Sequence, residues 1–354
     1  MNTTTLDRGA LDKYMGHFEL DPASEVHYIN TIYQQVKVPE KILLDLCIDT
    51  RLVMDQRPLG LGMRELSEDT FKDLWGTTYK RSHKGDHFYC DVIAVPLTDC
   101  DRDEISRYPW PKATDLTAVD EVHCTARWLH ENTDYGVVGQ IAGPNIVQQA
   151  AINLRGLDQF LVDMVLEPKI AHLILDKVLE VQMGRWELFL NEAGPYLDFI
   201  QIPDDLASQR GLLISPELYR RIIKPHQKRY FDFVKGKTKA KLIYHCCGSY
   251  HKLIPDLIEI GVDVFTPIQP RAEGMDFASL KREYGKETCF WGTIDTQHLL
   301  PFGTQEEVWN ECRRSIDELA PGGGFVFAPS HCIQWDVPLR NFLAMYRCAR
   351  DYCR

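Results

Sequence analysis

Two apolar runs end in residues that bind metals. Lys241 to Gly248 reads Lys-Leu-Ile-Tyr-His-Cys-Cys-Gly, and a later run closes at Pro329-Ser330-His331-Cys332. Successive side chains of an extended strand alternate faces, so His245 and Cys247 share one face and Cys246 takes the other. An imidazole and a thiolate at i and i+2 can hold one cation, with Cys332 as a third donor from a separate strand end. One histidine with two cysteinates suits Zn²⁺, and three protein donors leave a tetrahedral position open for chemistry. A lone cysteine at a strand end is ordinarily a small buried hydrophobe; the His-x-Cys pair is what lifts Cys332 above that reading. The interval from Cys247 to Cys332 is too long for a zinc finger or ribbon, whose ligand pairs lie close in sequence. Spacing therefore excludes a structural finger, and the choice of a catalytic site passes to the fold.

The elements around these residues alternate regularly from Tyr135 onward. Short apolar runs stand at Tyr135 to Ala142, Leu197 to Ile202, Ala240 to Cys247, Asp263 to Ile268, Thr288 to Ile294 and Phe325 to Ala328. Between them, apolar residues at 3.6 spacing predict helices over Gln148 to Glu167, Ile170 to Glu192, Pro216 to Val234, Tyr250 to Ile260, Phe277 to Tyr284, Gln305 to Leu319 and Leu339 to Tyr352. Ser215 before Pro216 and Thr304 before Gln305 are start signals, and Gly261 and Gly285 are stops. Such a repeat predicts a parallel sheet with helices outside it. Cys47 to Met54 supplies a seventh strand, close to the eight of a (β/α)₈ TIM barrel, and no Gly-x-Gly-x-x-Gly turn supports an open dinucleotide-binding sheet. Barrel active sites gather at the carboxyl ends of the strands, where His245, Cys247 and Cys332 all fall.

The segment before Tyr135 is less regular. Phe88 to Leu97 reads as a strand or arm, and the prolines of Tyr108-Pro109-Trp110-Pro111 demand a loop. No linker or composition break separates this part. The expectation is one domain over 1–354, an α/β barrel whose residues 1–130 form an amino-terminal elaboration capping the mouth.

Composition narrows the partners. The net charge of −11, with lysines and arginines dispersed apart from short groups such as Arg220-Arg221 and Lys235 to Lys239, argues against a nucleic-acid surface. No segment is apolar long enough to span a membrane, and Met1 to Gly16 has no apolar export core, so the expected location is cytoplasmic. Eleven cysteines in 354 residues form no dense framework, and a reducing compartment keeps them as thiols.

The carboxyl-terminal half carries a family resemblance. Trp291-Gly292-Thr293-Ile294-Asp295, Leu299-Leu300, Phe302-Gly303-Thr304, Ala320-Pro321-Gly322-Gly323-Gly324 and Ala328 to Gln334 with Asp336-Val337-Pro338 resemble the uroporphyrinogen decarboxylase superfamily, as do Asp204-Asp205-Leu206, Leu213 to Glu217 and Lys224-Pro225. The resemblance implies a (β/α)₈ barrel. Its decarboxylase branch holds porphyrinogen carboxylates with an arginine-rich Arg-Gln-Ala-Gly-Arg segment near the amino terminus, which this sequence lacks. His245-x-Cys247-Gly248 with Cys332 resembles instead the zinc signature of the corrinoid methyltransferase branch, which includes methylcobamide:coenzyme M methyltransferases, the methyltransferase half of chloromethane enzymes and the O-demethylases of acetogens. That branch implies methyl transfer between a small donor or acceptor and cobalt. With no Asp-x-His-x-x-Gly motif to hold a corrinoid here, it implies a separate corrinoid protein docking at the mouth.

Further candidates surround the triplet. Asp204 and Asp205 follow a strand end and either orient substrate or cap a helix. His331 is a neighbour of the metal or bonds backbone. Trp291, Asp295 and Gln334 are candidate pocket residues, Asp295 equally a helix cap, and Trp75, Trp110 and Trp335 are candidates for an aromatic lid or simply core. The leading expectation is a zinc-dependent methyltransferase; the alternatives are a metal-free decarboxylase and a ligand-binding barrel without turnover. Oligomeric state stays open, with a homodimer among the options.

Overall fold

Strand pairing follows the apolar runs. The computed structural model describes residues 5–21, 26–30, 32, 34–55, 63–84 and 87–352. Parts of the amino-terminal elaboration, residues 1–4, 22–25, 31, 33, 56–62, 85 and 86, therefore lie outside the described residues. Seven strands, β1 Thr50–Met54, β2 Gly136–Gln140, β3 Phe199–Pro203, β4 Lys241–His245, β5 Val264–Thr266, β6 Cys289–Trp291 and β7 Phe325–Val326, form one parallel sheet. Their order in the sheet is their order in the chain. A doubly wound sheet reverses direction at a switch point; this one never does, so it curls as a singly wound α/β barrel does.

The seven strands are those counted from the apolar runs. Beyond β7 the extended chain bridges Pro329 to Ile294 and Ile333 to Leu6. Leu6–Asp7 in turn pairs antiparallel with Gln35–Val36, which pairs with Tyr28–Asn30. The extended chain after β7 is thus joined, at Ile333, to a three-stranded antiparallel sheet from the amino-terminal part. A second antiparallel sheet, Arg64–Ser67, Thr70–Lys72, Thr78–Lys84 and His87–Ala94, contains most of the expected arm at Phe88 to Leu97.

Helices cover the outside. Phe277–Tyr284, Gln305–Leu319 and Leu339–Tyr352 run as their apolar spacing predicts, and Thr304 and Glu307 cap the second reciprocally. The expected helix from Gln148 is instead Ile146–Gln148, a π-helix over Gln149–Arg155 and, after Gly156 at φ 86°, Leu157–Leu166. That positive φ is open to glycine and interrupts the helix. One apolar core lies between sheet and helices, and a second fills the barrel interior with Val138, Ile243, Val264 and Trp291. No helix among the described residues is long and apolar enough to cross a membrane.

Candidate metal centre at the barrel mouth

Register decides which side chains meet. Pro203 of β3 pairs with His245 of β4, and His245 with Thr266 of β5. Two residues further on, the same register sets Asp205 beside Cys247, and the Cys247 backbone N–H donates to Asp205 Oδ1 at 2.7 Å. His245 Nε2 stands 3.5 Å from Cys247 Sγ. Ligand atoms of Asp205, His245 and Cys247 all lie within 4.8 Å of one another, the one such group among the described residues. The chain turns sharply after Cys247 because Gly248 adopts φ 88°; a Cβ there would sit 2.4 Å from the Ser208 carbonyl oxygen.

This donor set fits a zinc ion. Zn–S and Zn–N bonds of ~2.3 and ~2.05 Å at a tetrahedral angle give an N···S edge of about 3.6 Å, and the histidine and cysteine are already spaced so. Loss of hydration pushes His245 down to about 4, with the His331 ring adding to the effect and the Asp205 charge opposing it. The imidazole is therefore neutral near pH 7, the form that binds metals. Burial, with the Asp205 charge, drives the Cys247 thiol well above the usual range, and burial pushes Cys332 up to about 12. Sulfurs in such surroundings become thiolates when a cation compensates them.

The remaining candidates divide between the cavity and its supports. Cys332, His331, Gln334 and Asp205 line a cavity of about 370 Å³ with His245, Thr266, Gln140 and Gln201. Cys332 stands outside the close group of three; its Sγ lies 3.7 Å from the Ile333 carbonyl oxygen and beside Thr5. His331 is exposed on the rim, its ring 6.4 Å from that of His245. Asp204 is 1 % exposed and faces away from the cavity. It accepts from the Val147 and Gln148 backbone N–H groups at 3.0 and 2.9 Å and from Gln227 Nε2 at 3.3 Å, so it caps a neighbouring helix. Burial pushes it up to about 7 against those three donors. Asp295 likewise caps the helix Leu299–Phe302 through the N–H groups of Gln297, His298 and Leu299. Trp291 is buried in the barrel interior, edge-on to Phe199 at 5.7 Å. Trp75, Trp110 and Trp335 do not line the cavity.

Sequence reasoning placed Asp205 near the chemistry but not in the close group with His245 and Cys247. The signal lay in two dimensions, in the register of β3 against β4. A larger cavity of about 700 Å³, between the amino-terminal helix Arg8–Tyr14 and the helix Val122–Asn132, is walled mainly by apolar side chains such as Leu11, Val38, Leu52 and Trp128. It holds none of the grouped donors, so size and chemistry point to different cavities, and the smaller carries the reactive groups.

Comparison with known proteins identifies the family and the fold. Residues 92–352 match the family model described as uroporphyrinogen decarboxylase (URO-D). A methylated-thiol–coenzyme M methyltransferase of Methanosarcina mazei is 24% identical over 185 residues, covering 52% of this chain and 46% of that protein. A uroporphyrinogen decarboxylase of Chlorobium phaeobacteroides is 26% identical over 181 residues, 50% of this chain and 48% of that one. The chain thus aligns with about half the length of the curated relatives it matches. A solved methyltransferase from Methanosarcina mazei superposes with a TM-score of 0.61 over 79% of this chain and 77% of its own, at 17% identity, which speaks to the fold.

Proposed function

The chain belongs to the uroporphyrinogen decarboxylase family, and from that premise we propose that it is a zinc-dependent methyltransferase moving a methyl group between a small substrate and the cobalt of a separate corrinoid protein. The observation that carries the reading is the approach of His245 Nε2 to within 3.5 Å of Cys247 Sγ at a mouth that Cys332 also lines. A decarboxylase holding a polycarboxylate needs cations there; the described lining residues include Asp7 and Asp205 but no lysine or arginine. The likeness to a methylated-thiol–coenzyme M methyltransferase supports the same branch.

In this reading His245 and Cys247 would hold the ion, with Cys332, from outside the close group, as the third donor. One neutral imidazole and two thiolates leave a formal charge near zero, so an incoming thiolate adds little unfavourable charge. When bound, zinc would supply Lewis acidity toward the heteroatom of a methyl donor, or hold an acceptor thiol in its nucleophilic form. Asp205 is assigned to take the proton of that thiol, since it lies beside Cys247 and opens onto the cavity. His331 and Gln334 contact substrate from the rim and wall. Asp204 acts as a positioning residue: its backbone N–H donates to the His245 carbonyl at 2.8 Å, and its carboxylate holds the helix start at Val147. Trp291 forms the floor of the barrel core, and Asp295 shapes the loop that follows it. The chemistry suits the reducing cytoplasm.

Metal analysis with variants tests the proposal. The wild-type chain is expected to hold about one zinc and to transfer methyl from methylcobalamin to a thiol, or to demethylate a donor toward cob(I)alamin. Cys247→Ala, His245→Ala and Cys332→Ala should each lose zinc and transfer, whereas Asp205→Asn should keep zinc and lose transfer. Zinc loss in Asp205→Asn with full retention in Cys332→Ala would reverse those two roles. Methyl transfer by metal-free protein, decarboxylation of uroporphyrinogen, or tightly held zinc with no transfer to any corrinoid would overturn the function.

A further inference from the structure

Five glutamines line the mouth: Gln35, Gln140, Gln148, Gln201 and Gln334. Gln35, Gln140, Gln148 and Gln334 are half-buried, and their carboxamides make no hydrogen bond to any described protein group. Gln201 is 1 % exposed, and its Oε1 is buried without a partner. A buried amide oxygen left bare costs free energy comparable to a lost hydrogen bond, so such an atom on a cavity wall marks a place where a ligand or a water donates. Each carboxamide offers both donors and an acceptor. The fixed charges among the described lining residues are the carboxylates Asp7 and Asp205, which repel anions.

We propose that this glutamine wall is the binding surface for the carboxamide fringe of a corrin macrocycle, presented over the mouth by its carrier protein. The inference rests on the methyl-transfer reading given above and goes beyond it by assigning the residues. A corrin carries primary amides around its rim, with short acetamide arms on the face that bears the transferable methyl group. Primary amides pair with one another donor to acceptor, so a ring of unpartnered glutamines complements that rim. Porphyrinogens carry carboxylates in the same places; Asp7 and Asp205 disfavour them. A cavity of about 370 Å³ is too small to engulf the macrocycle, so the ring lies across the opening with its arms reaching Gln148, Gln334, Gln140 and Gln35. Gln201 on the floor accepts from whatever donor reaches furthest in.

Equilibrium dialysis of the full chain against free corrinoids tests this without any turnover. The probes are dicyanocobinamide, which keeps the amide rim, and dicyanocobyrinic heptacarboxylate, the same macrocycle with carboxylates in their place. Wild-type protein should bind cobinamide and should bind the heptacarboxylate at least about tenfold more weakly at low salt. Gln148→Leu with Gln334→Leu should weaken cobinamide binding about tenfold, at a factor of roughly 2–10 for each hydrogen bond removed. Zinc content and unfolding midpoint of that variant report whether it folds; the comparison of two probes on wild-type protein needs no variant at all. Equal or tighter binding of the heptacarboxylate, absence of binding to either corrin, or a folded double variant that binds cobinamide unchanged would each overturn the assignment. A chain that binds cobinamide by its amides yet moves no methyl group would leave the surface assigned and the proposed reaction refuted. Methyl transfer with amide-insensitive binding would do the reverse.

Discussion

Asp204 and Asp205 are adjacent, chemically identical and predicted to fail in opposite ways when altered. Asp204 is buried, with two backbone N–H donors at the start of Ile146–Gln148 and the Gln227 amide converging on its carboxylate at 2.9–3.3 Å. Asp204→Ala strands those donors where water does not reach. At about 1–3 kcal/mol for each buried donor left unpaired, the two backbone groups alone cost roughly 2–6 kcal/mol, a large part of the 5–15 kcal/mol typical of a whole domain. Asp204→Asn keeps one acceptor oxygen and should cost about half as much. Asp205 is half-buried and accepts one N–H, from Cys247, so water can replace it and Asp205→Ala should cost under about 1 kcal/mol. The assay is urea unfolding followed by tryptophan fluorescence, run beside zinc content and methyl transfer to a thiol. Asp205→Ala should remain stable and lose transfer; Asp204→Asn should lose stability while the folded fraction retains zinc. Near-neutral stability for Asp204→Ala, or a loss of several kcal/mol for Asp205→Ala, would refute the division into a positioning and a reactive carboxylate.

Three further outcomes follow from buried charge and backbone geometry. Arg185 reaches the buried Asp55 at 2.9 Å and the Ala142 carbonyl at 2.8 Å, so Arg185→Met leaves an uncompensated carboxylate and should destabilise by about 3–5 kcal/mol, much of it recovered in the double variant with Asp55→Asn; no recovery in denaturation would contradict the ion-pair account. Burial pushes Asp73 up to about 6. A raised carboxyl favours the folded state while protonated, so that stabilisation is complete below pH ~4 and fades as pH rises through about 6; unfolding midpoints of Asp73→Asn should lose this slope, on the order of 2–3 kcal/mol, and an unchanged slope would place its origin elsewhere. Gly248→Ala introduces a Cβ 2.4 Å from the Ser208 carbonyl at a positive φ, and zinc affinity should fall at least about tenfold as Cys247 shifts, measurable by competition with a chromophoric chelator.

Much of the fold was legible because strand and helix signals agreed. The apolar runs at Tyr135, Leu197, Ala240, Asp263, Thr288 and Phe325 each contain an observed strand, and the glycines after Ile260 and Tyr284 end helices where expected. What one-dimensional spacing could not show was register. His245 and Cys247 share a face through alternation alone, whereas the meeting of Asp205 with Cys247 depends on Pro203 pairing with His245. The same limit applies to Asp204, whose carboxylate serves a helix start 57 positions earlier in the chain. The seven strands counted from the apolar runs are the seven observed, whereas the antiparallel pairing of Leu6–Asp7 and its bridge to Ile333 are announced by no local pattern.

The composition of the mouth indicates where selectivity resides. The family match begins at residue 92, yet Thr5, Asp7, Ile29, Asn30, Gln35, Met54 and Tyr89 all face the cavity that contains His245. One wall of the site is therefore built from the part of the chain outside the matched segment, while the candidate metal donors and their supports come from strand ends within it. In a barrel the two can vary separately, because strand ends are fixed by the sheet while the covering segment is anchored by the backbone bonds between Asp7 and Ile333 and between Thr5 and Ile333 and, away from the cavity, by Tyr14, which stacks on Phe342 and donates to the Val337 carbonyl. Substitutions in that wall, Tyr89→Ala for example, should change the KM for the methyl donor and leave zinc stoichiometry untouched. A Tyr89→Ala protein that lost zinc instead would show that the amino-terminal wall supports the metal itself, and the separation of selectivity from metal binding would fall.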